Sequence, residues 1–416
     1  MTTPEESEKL GVFTVGVGAV ATTLMAGVEL IRQHQRTPIG SFTQLGWLAT
    51  ADGRRMRVNE ALPLAALPNL IFGGVDLLES DAWQAARTAG VLNEADLAAV
   101  RDFLGGIRIG PGIHDPAYMQ NLQVLHALPG KDKQAQVETM IRTFREFFSA
   151  QRCARGVVLL TLSTEAWRGV GAVHATPEAF VAGLRRNDPD ITPSQIYAWA
   201  AVEAGYPVVN CTPNPVPDMP ALQAHALRRG VPLAGSDLKS GQTLLKTVIA
   251  GGIARRLLGV KGWFSTNILG NRDGLVLADP ENFRAKEITK SGVLTDILDQ
   301  QVHPELYKDM VHQVRINYYP PKGDNKEAWD SIQLAGWLGY EMELKINFEC
   351  RDSILAAPLV LDLALLADLA ARKGEKGIQP WLGGYFKHPA ALPGTVPCND
   401  LPIQMIELER KLSGWC

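Results

Sequence analysis

An apolar strand that runs directly into a glycine turn and then into a helix is the sequence feature that most constrains the fold. Residues 12–17 predict a buried strand, and residues 19–33 predict a helix that ends before the Arg36-Thr37-Pro38 breaker. Further short apolar strands alternate with helical segments and are predicted at 69–73, 156–162, 206–210 and 232–234. This alternation indicates a parallel sheet covered by helices on both faces, which is an α/β, Rossmann-like, doubly wound fold.

The glycine turn fits the pattern G-x-G-x-x-A of a dinucleotide-binding site. Gly16 permits the tight turn, Gly18 lets the backbone approach a pyrophosphate, and the small Ala21 lets the helix pack on the strand. Ala19 and Val20 open the helix, so its N-terminus would face the anion. A glycine-bearing turn without any ligand gives the same pattern, so the motif alone leaves both interpretations open.

The acidic residue that usually binds the ribose about twenty positions further on is missing, since residues 37–45 contain no Asp or Glu. Asp76 follows the next strand and is the best candidate for the ribose hydroxyls. Polar residues also follow the ends of later strands, where open α/β sheets bind their ligands. We expect these residues to contribute to the cofactor site: Ser163, Thr164, Thr212 and Asp237.

The composition argues against several classes of protein. Hydrophobic residues make up 46% of the 416 residues, which is enough for a large core and excludes a disordered chain. The net charge of −3 argues against a nucleic-acid partner, and none of the five cysteines forms a C-x-x-C pair, so we expect a reducing cytoplasm. Glycine and threonine lower the hydrophobicity of the uncharged run 11–28, so we expect it to be neither a leader peptide nor a membrane span. The apolar run 354–369 contains Asp362, Asp368 and Pro358, so we expect a buried helix there rather than a membrane span.

The character of the sequence changes after about residue 242. Strands are predicted at 262–268, 314–319 and 343–348, with charged and less regular segments between them. We therefore expect a second, α+β domain at 243–352, inserted into a nucleotide-binding domain that begins with 1–242. The apolar helix at 353–372 and the rest of 353–416 are expected to return to the first domain.

Positive charge is concentrated between residues 239 and 290. This segment contains nine basic and four acidic residues, a balance of 9 − 4 = +5 in a chain of net charge −3. Lys286 and Lys290 stand four residues apart and would share one face of a helix, where like charges cost about 0.2–0.5 kcal/mol. An anionic ligand would offset that cost, whereas a solvated basic face explains the same spacing without a ligand.

Six blocks of sequence resemble, in order, the motifs of the myo-inositol-1-phosphate synthase family. The block G-S-D-L-K-S-G-Q-T at 235–243 is similar to the family's G-D-D-x-K-S-G-Q-T, N-I-L-G-N-R-D-G at 267–274 to N-x-L-G-N-N-D-G, and F-R-A-K-E-I-T-K-S at 283–291 to F-R-S-K-E-I-S-K-S. The other three blocks are G-D-N-K at 323–326, C-R-D-S at 350–353 and Y-F-K-H-P at 385–389. The resemblance covers residues 11–394 and is of the prokaryotic type in its glycine loop, although Ser236 replaces an acidic residue and Arg272 an asparagine.

The resemblance implies an NAD-dependent, redox-neutral cyclisation of D-glucose 6-phosphate to 1D-myo-inositol 3-phosphate, which serves inositol and phospholipid biosynthesis. The C5 alcohol would be oxidised, the neighbouring C6–H would enolise, the enolate would attack the C1 aldehyde, and the C5 ketone would be reduced again. The resemblance also implies a homotetramer in which the second domain contributes to catalysis and pairs with the second domain of another subunit. It implies contact of Asn271 with NAD. A divalent or a monovalent cation is a further cofactor candidate, and a site without any cation is the alternative. A simple NAD-dependent dehydrogenase, a cyclase acting on another sugar phosphate and a catalytically silent nucleotide-binding scaffold remain alternatives.

Lysines carry most of the chemistry that the resemblance implies. Lys286 would transfer the proton at the C5 oxygen, and Lys326 and Lys387 would stabilise the developing oxyanions at C5 and C1. A lysine suits these tasks because it supplies a compact charge whose pKa is lowered by burial or by neighbouring cations. Asp273 and Asp352 would orient these lysines or contact the nicotinamide ribose, although a structural ion pair explains each aspartate as well.

A phosphate cradle is implied at the block 235–243. Ser240, Gly241 and Gln242 follow a strand and open a helix, so their backbone N–H groups would form an anion nest. Lys290 would add a charged contact to the same phosphate. Lys239 lies in this block but is expected only to pair with an acid.

Overall fold

The computed structural model describes residues 9–50, 52–78, 81–119, 124–130, 132–271, 274–275 and 293–416. The strands in these ranges are β1 (Leu10–Val15), β2 (Trp47–Ala49), β3 (Arg55–Arg57), β4 (Leu70–Asp76), β5 (Ile109–Pro111), β6 (Arg155–Leu160), β7 (Val208–Asn210), β8 (Pro232–Gly235), β9 (Gly259–Leu269), β10 (Val311–Tyr318), β11 (Asn325–Ala335), β12 (Glu341–Arg351) and β13 (Gly377–Ile378). The α-helices in the same ranges are α1 (Ala19–Arg32), α2 (Phe42–Leu45), α3 (Val58–Ala61), α4 (Ala82–Ala89), α5 (Glu94–Ala99), α6 (Arg101–Gly105), α7 (Lys133–Ala150), α8 (Pro177–Arg185), α9 (Pro193–Ala204), α10 (Pro220–Arg229), α11 (Gly241–Arg255), α12 (Pro304–Tyr307), α13 (Asp352–Arg372) and α14 (Leu401–Ser413).

Seven strands form a parallel sheet in the order β13-β8-β7-β6-β1-β4-β5. The chain starts at β1 in the middle, runs outward through β4 to β5, and then passes back beyond β1 to β6, β7 and β8. The order reverses between β1 and β6, and doubly wound sheets bind ligands in the crevice at that point. The predicted Rossmann-like, doubly wound class is therefore confirmed.

The core lies on both faces of this sheet because successive side chains of a strand point to opposite faces. All six residues of β1 are buried. Val12 packs in a cluster with Leu24 of α1 and Val360 of α13. Phe13 packs on the other face against Phe144 of α7, with the ring centroids 5.0 Å apart. The central strand is thus covered on both sides, which explains its continuous apolar sequence.

Helix α13 is long and apolar enough to cross a membrane by length and composition, with a mean hydropathy of 2.1 over its most apolar stretch. However, 72% of that stretch is buried inside the protein, where the helix packs against α1 and the parallel sheet. Its two buried aspartates have partners: Asp362 accepts hydrogen bonds from the segment 41–43, and Asp368 pairs with Arg155 at 2.8 Å. The burial and the partners of the aspartates show that α13 is a core helix. The sequence predicted this, because two aspartates and a proline interrupt its apolar run.

The second sheet has four strands in the order β10-β9-β11-β12, with β10 parallel to β9, and β11 antiparallel to β9 and β12. The strands expected at 262–268, 314–319 and 343–348 are present as β9, β10 and β12, and the helix expected to open at 240–242 is α11, but β11 was not predicted. Strand β11 buries Lys326 and Asp330, and these polar residues hide the alternation that marks a strand. The domain boundaries at 242 and 352 stay a prediction.

Candidate active site

A cavity of about 610 Å³ lies at the carboxyl ends of the parallel strands, next to one end of the four-stranded sheet. Its walls come from the segments after β1, β4, β6, β7 and β8, from the turn before β11, and from the first residues of α13. Many residues predicted from the sequence line it: Gly16, Gly18, Ala19, Val20, Asp76, Ser163, Thr164, Thr212, Asp237, Ser240, Asn271, Asp352 and Lys387. Among the predicted residues that the structure describes, Ala21, Gly241, Gln242 and Lys326 lie outside this lining.

The glycine turn after β1 has the geometry of a pyrophosphate cradle. Gly16 adopts a φ of +90°, and a Cβ atom there would lie 2.4 Å from the Cα of Leu162, so this position accepts only glycine. A Cβ at Gly18 would meet no atom within 4 Å, because this residue faces the cavity. Helix α1 starts after Gly18 without a side-chain cap or an acidic residue in its first turn. Its N-terminal N–H groups are therefore available to an anion.

Asp76 ends β4, the strand next to β1 on the side away from β6. In the doubly wound fold this is the strand whose end carries the ribose-binding acid. One carboxylate oxygen accepts the N–H of Val17 at 2.7 Å and the other accepts the N–H of Leu78 at 3.0 Å. Asp76 thus holds the glycine turn in place while it lines the cavity. Its contact with a ribose stays a prediction.

The end of the cavity next to Asp76 contains small residues that the sequence did not reveal. Ala85, Thr88 and Ala89 of α4, followed by Gly90, line this end. Small side chains leave room for a flat group such as an adenine ring. Their role depends on the packing of α4 beside the glycine turn, and no local motif marks it.

Two lysines predicted to act on the substrate form ion pairs with aspartates of the cavity wall. Lys387 Nζ lies 3.0 Å from the Oδ1 of Asp237, and these side chains are only 7% and 3% exposed. Lys326 Nζ lies 2.5 Å from the Oδ2 of Asp352, whose side chain is 30% exposed. Asp237 has a φ of +59°, an uncommon conformation for an aspartate, which directs the chain between β8 and α11. The aspartates therefore fix where the two amines lie.

Asp324 belongs to the G-D-N-K block and lines the cavity, although the sequence did not predict it as a site residue. Its Oδ1 accepts a hydrogen bond from Asn271 at 3.2 Å and one from Ser353 at 3.4 Å. Its Oδ2 is buried and has no hydrogen-bond partner within the described part of the chain. Burial raises the pKa of Asp324 above its usual range. No group of three or more His, Cys, Asp or Glu side chains suited to a metal occurs in that same part, so a cation requirement stays open.

The block expected to cradle a phosphate points partly towards the cavity and partly away from it. Ser240 lines the cavity and is the residue before α11. Gly241 adopts a φ of +55°, and a Cβ there would lie 2.5 Å from the Oδ1 of Asp352. Gln242 is 2% exposed, and its side chain bonds to residues of the second sheet rather than lining the cavity. If Gln242 contacts a phosphate, it does so through its backbone N–H group, because its side-chain amide is bonded elsewhere.

Lys239 was expected to pair with an acid, and this expectation is wrong for its direct contact. Its Nζ donates to the side-chain oxygen of Gln404 in α14 at 2.5 Å, which is a neutral partner. Burial lowers the pKa of Lys239 from 10.5 to about 7. Lys239 is only 2% exposed and lies outside the cavity lining, and its side chain points towards the C-terminal helix.

Comparison with known proteins identifies the family. A family model described as myo-inositol-1-phosphate synthase matches residues 10–412. The chain belongs to the myo-inositol-1-phosphate synthase family. It is 45% identical over 383 residues to inositol-3-phosphate synthase 1 of Bacteroides thetaiotaomicron, a match that covers 92% of this chain and 89% of the relative. It is 31% identical to inositol-3-phosphate synthase 1 of Oryza sativa, over 97% of this chain and 85% of the relative.

Solved structures agree with this membership of the synthase family. The crystal structure of inositol-3-phosphate synthase from Caenorhabditis elegans superposes with a TM-score of 0.91 at 27% identity, over 98% of this chain and 86% of that one. A myo-inositol-1-phosphate synthase-related protein from Thermotoga maritima shares the fold, with a TM-score of 0.78 at 24% identity over 98% of both chains. As a member of an NAD-binding family, this synthase-family chain has NAD as its cofactor, and the glycine turn, Asp76 and the small residues of α4 fit a dinucleotide.

Three of the site residues implied by the family motifs lie outside the described residues. They are Asp273, Lys286 and Lys290, and Arg272 lies outside them as well. The strand β9 ends at Leu269 directly before this segment, and Asn271 and Ser353 of α13 both bond to the Oδ1 of Asp324 in the cavity wall. The roles of these residues therefore stay predictions.

Proposed function

We propose that this chain is an inositol-3-phosphate synthase, which converts D-glucose 6-phosphate to 1D-myo-inositol 3-phosphate without net oxidation. Family membership supports the reaction. The observation that carries the proposal is that one cavity joins a glycine turn for a dinucleotide to two lysine–aspartate pairs and to the start of α11. A cyclising enzyme needs these three elements together, because the cofactor, the reacting carbons and the phosphate belong to one bound assembly.

The first half of the cavity would hold NAD. Gly16 and Gly18 would cradle the pyrophosphate, Asp76 would accept a ribose hydroxyl, and Ala85 and Ala89 would flank the adenine. When bound, NAD supplies a reversible oxidation of the alcohol at C5. Thr164 and Thr212, which follow the ends of β6 and β7, line the cavity and would contact the nicotinamide side.

The lysines would control charge on the sugar oxygens. Lys326 and Lys387 lie where their aspartates hold them, so each presents a fixed positive charge to an oxygen that becomes negative during enolisation and ring closure. Such preorganised charges act strongly in a site from which water is largely excluded. Lys286 would move the proton at the C5 oxygen, as the family motif implies. A proton transfer group of this kind contributes about 10²–10⁴-fold in rate.

The phosphate would lie at the start of α11. Ser240 and the backbone N–H groups of the first helical turn would bind its oxygens, and Lys290 would add a charged contact. Because Gly241 approaches Asp352 closely, the phosphate cradle and the Lys326–Asp352 pair are adjacent. Binding of the phosphate would therefore position the sugar carbons against the lysines.

We also propose that the second sheet assembles the protein into a homotetramer. Strand β12 and the turn before it expose apolar side chains, with Trp337 at 85%, Leu338 at 78% and Tyr340 at 74%. Such a patch is typical of a surface that is covered in the working molecule. A monomeric mass in light scattering at micromolar concentration would contradict the proposal.

The five cysteines are all free thiols, which supports a reducing, cytoplasmic location.

The decisive experiment is incubation with glucose 6-phosphate and substoichiometric NAD⁺, followed by phosphorus and proton NMR of the product. We expect many turnovers per NAD⁺ and a cyclic inositol phosphate. Consumption of one NAD⁺ per sugar, with NADH accumulating, would instead identify a dehydrogenase. No turnover of glucose 6-phosphate, with NAD still bound, would leave a cyclase for another sugar phosphate or a binding scaffold.

A further inference from the structure

The side chain of Gln242 is anchored inside the second sheet although its residue belongs to the phosphate cradle. Gln242 is the second residue of α11 and is 2% exposed. Its Nε2 donates to the Oδ2 of Asp330 on β11 at 2.8 Å. Its Oε1 accepts from the Nδ2 of Asn267 on β9 at 2.5 Å. Both ends of the amide are thus bound, one to each of two neighbouring strands.

Asp330 is the centre of this buried cluster. It is 2% exposed, and its Oδ1 accepts the indole N–H of Trp263 at 2.8 Å and the hydroxyl of Ser265 at 2.6 Å. The carboxylate therefore has three side-chain donors, two of which come from β9 and one from α11. A buried charge is tolerated when its oxygens are bonded in this way, and its bonds are strong because one partner is ionised. The bond to Gln242 ties the helix to the sheet.

This bond acts on the part of α11 that faces the cavity. Ser240, two residues before Gln242, lines the cavity. Gly241 lies between them, and its backbone passes so close to Asp352 that a Cβ atom on Gly241 would lie 2.5 Å from the Oδ1 of Asp352. Among the described residues no side chain caps the first turn of α11, and on the cavity side the hydroxyl of Ser240 makes only a long hydrogen bond of 3.4 Å to the Oδ1 of Asp352. The shorter bonds of Gln242 on the sheet side therefore hold the first turn more firmly than this contact does. A displacement of about 1 Å in such a cradle can cost about 10²-fold in rate.

We propose that Asp330 is a positioning residue for substrate phosphate, which acts through Gln242 by holding the first turn of α11 against the cavity. This inference rests on the proposed function, since it takes a sugar phosphate as the substrate. Asp330 itself lies outside the cavity lining and outside the six sequence blocks. Its role is therefore separate from that of the lysines, which would contact the sugar.

The donor and the acceptor of the Asp330–Gln242 bond can be exchanged to test the proposal. Asp330→Asn alone places an amide N–H group opposite the N–H group of Gln242, so the bond has two donors and no acceptor. Gln242→Glu alone places a carboxylate opposite the carboxylate of Asp330, so the bond has two acceptors and no donor. In the double variant Asp330→Asn/Gln242→Glu, the new amide at 330 donates to the new carboxylate at 242. Asn267, Trp263 and Ser265 keep their acceptors, and the cluster keeps one negative charge.

The readouts are the KM for glucose 6-phosphate, inhibition by inorganic phosphate, and the dissociation constant of NAD. We expect each single variant to raise the KM and the inhibition constant of phosphate about tenfold or more, and the double variant to recover to within about threefold of the wild type. NAD affinity should stay the same, because Asp330 lies at the phosphate end. An equal loss in the double variant, or an unchanged KM in the single variants, would overturn the proposal.

The matched control is Ser265→Ala, which removes another hydrogen bond from the same carboxylate but leaves the bond to α11 intact. It should lower the denaturation midpoint as the single variants do, yet leave the KM and phosphate inhibition unchanged. If Ser265→Ala raises the KM as much as Asp330→Asn does, the cluster has a general structural role and the proposal is wrong. Calorimetry with inorganic phosphate tests the cradle without turnover, so inactivity of the wild type on glucose 6-phosphate would refute the proposed function separately.

Discussion

The ion pair between Lys387 and Asp237 should be the more costly of the two cavity pairs to break. Its side chains are 7% and 3% exposed, and Lys387→Met would remove the amine that lies 3.0 Å from a buried carboxylate. Removing one partner of a buried pair typically costs about 3–5 kcal/mol. The same change at Lys326 leaves Asp352, which is 30% exposed and can be hydrated by water in the cavity. We expect that variant to lose about 1 kcal/mol or less.

A double variant separates the structural effect from the catalytic one. Lys387→Met/Asp237→Asn removes both charges, and such neutral replacements of a buried pair are often neutral for stability. We therefore expect the double variant to regain most of the free energy of unfolding that Lys387→Met loses. Both variants should remain slower than the wild type by about 10²–10⁴-fold, because the cation that acts on the sugar oxygen is absent in each.

Urea denaturation of the NAD-free protein, at one fixed protein concentration, measures the stability of these variants. Activity is measured with glucose 6-phosphate under saturating NAD⁺. If Lys387→Met is as stable as Lys326→Met, burial does not decide the cost of the pair. If the double variant is as unstable as the single one, the loss comes from packing around Lys387 and the reasoning from charge fails.

Three further results are expected. Gly16→Ala should destabilise the fold because its Cβ would lie 2.4 Å from the Cα of Leu162, whereas Gly18→Ala should fold normally and only weaken NAD binding; equal denaturation midpoints would contradict this. Asp76→Asn should weaken NAD binding in titrations and lower the preference for NAD over NADP, and an unchanged preference would exclude the ribose contact. Burial raises the pKa of Glu165 from 4.5 to about 7, so the stability that its protonated form gives below pH 4.5 is lost as the pH rises through 7. Glu165→Gln should reduce the change in the free energy of unfolding between pH 4 and 8 by about 3 kcal/mol. Denaturation midpoints of both proteins across this pH range measure the difference.

Features that depend on short stretches of chain were predictable from the sequence. The turn at Gly16 needs a positive φ and a close backbone contact, and both requirements are visible as glycine in a strand–helix junction. The buried parallel strands were visible as apolar runs, since both their faces are covered. Lys387 and Asp352 line the cavity, as the family motifs implied for the site.

Features that depend on distant partners were not predictable. The direction of the Gln242 side chain depends on Asp330, which is 88 residues further along the chain and lies on a strand that the sequence did not reveal. The position of Asp324 has the same character: its G-D-N-K block was recognised, but its bond to Asn271 spans 53 residues. A buried polar residue carries no periodic signal of its own, so its partners have to be seen in the folded chain.

Asp76 shows how strand order can replace sequence spacing. The chain between α1 and β4 contains α2, α3, β2 and β3, so the acid expected about twenty residues after the glycine turn is displaced in sequence. The displacement leaves β4 in register beside β1, with Val15 opposite Val75. The inserted segment is held away from this pairing by Asp362 of α13, which accepts hydrogen bonds from the hydroxyls of Ser41 and Thr43 and from two backbone N–H groups. The insertion is thus bound to the buried helix α13, and the carboxylate that ends β4 still reaches the glycine turn.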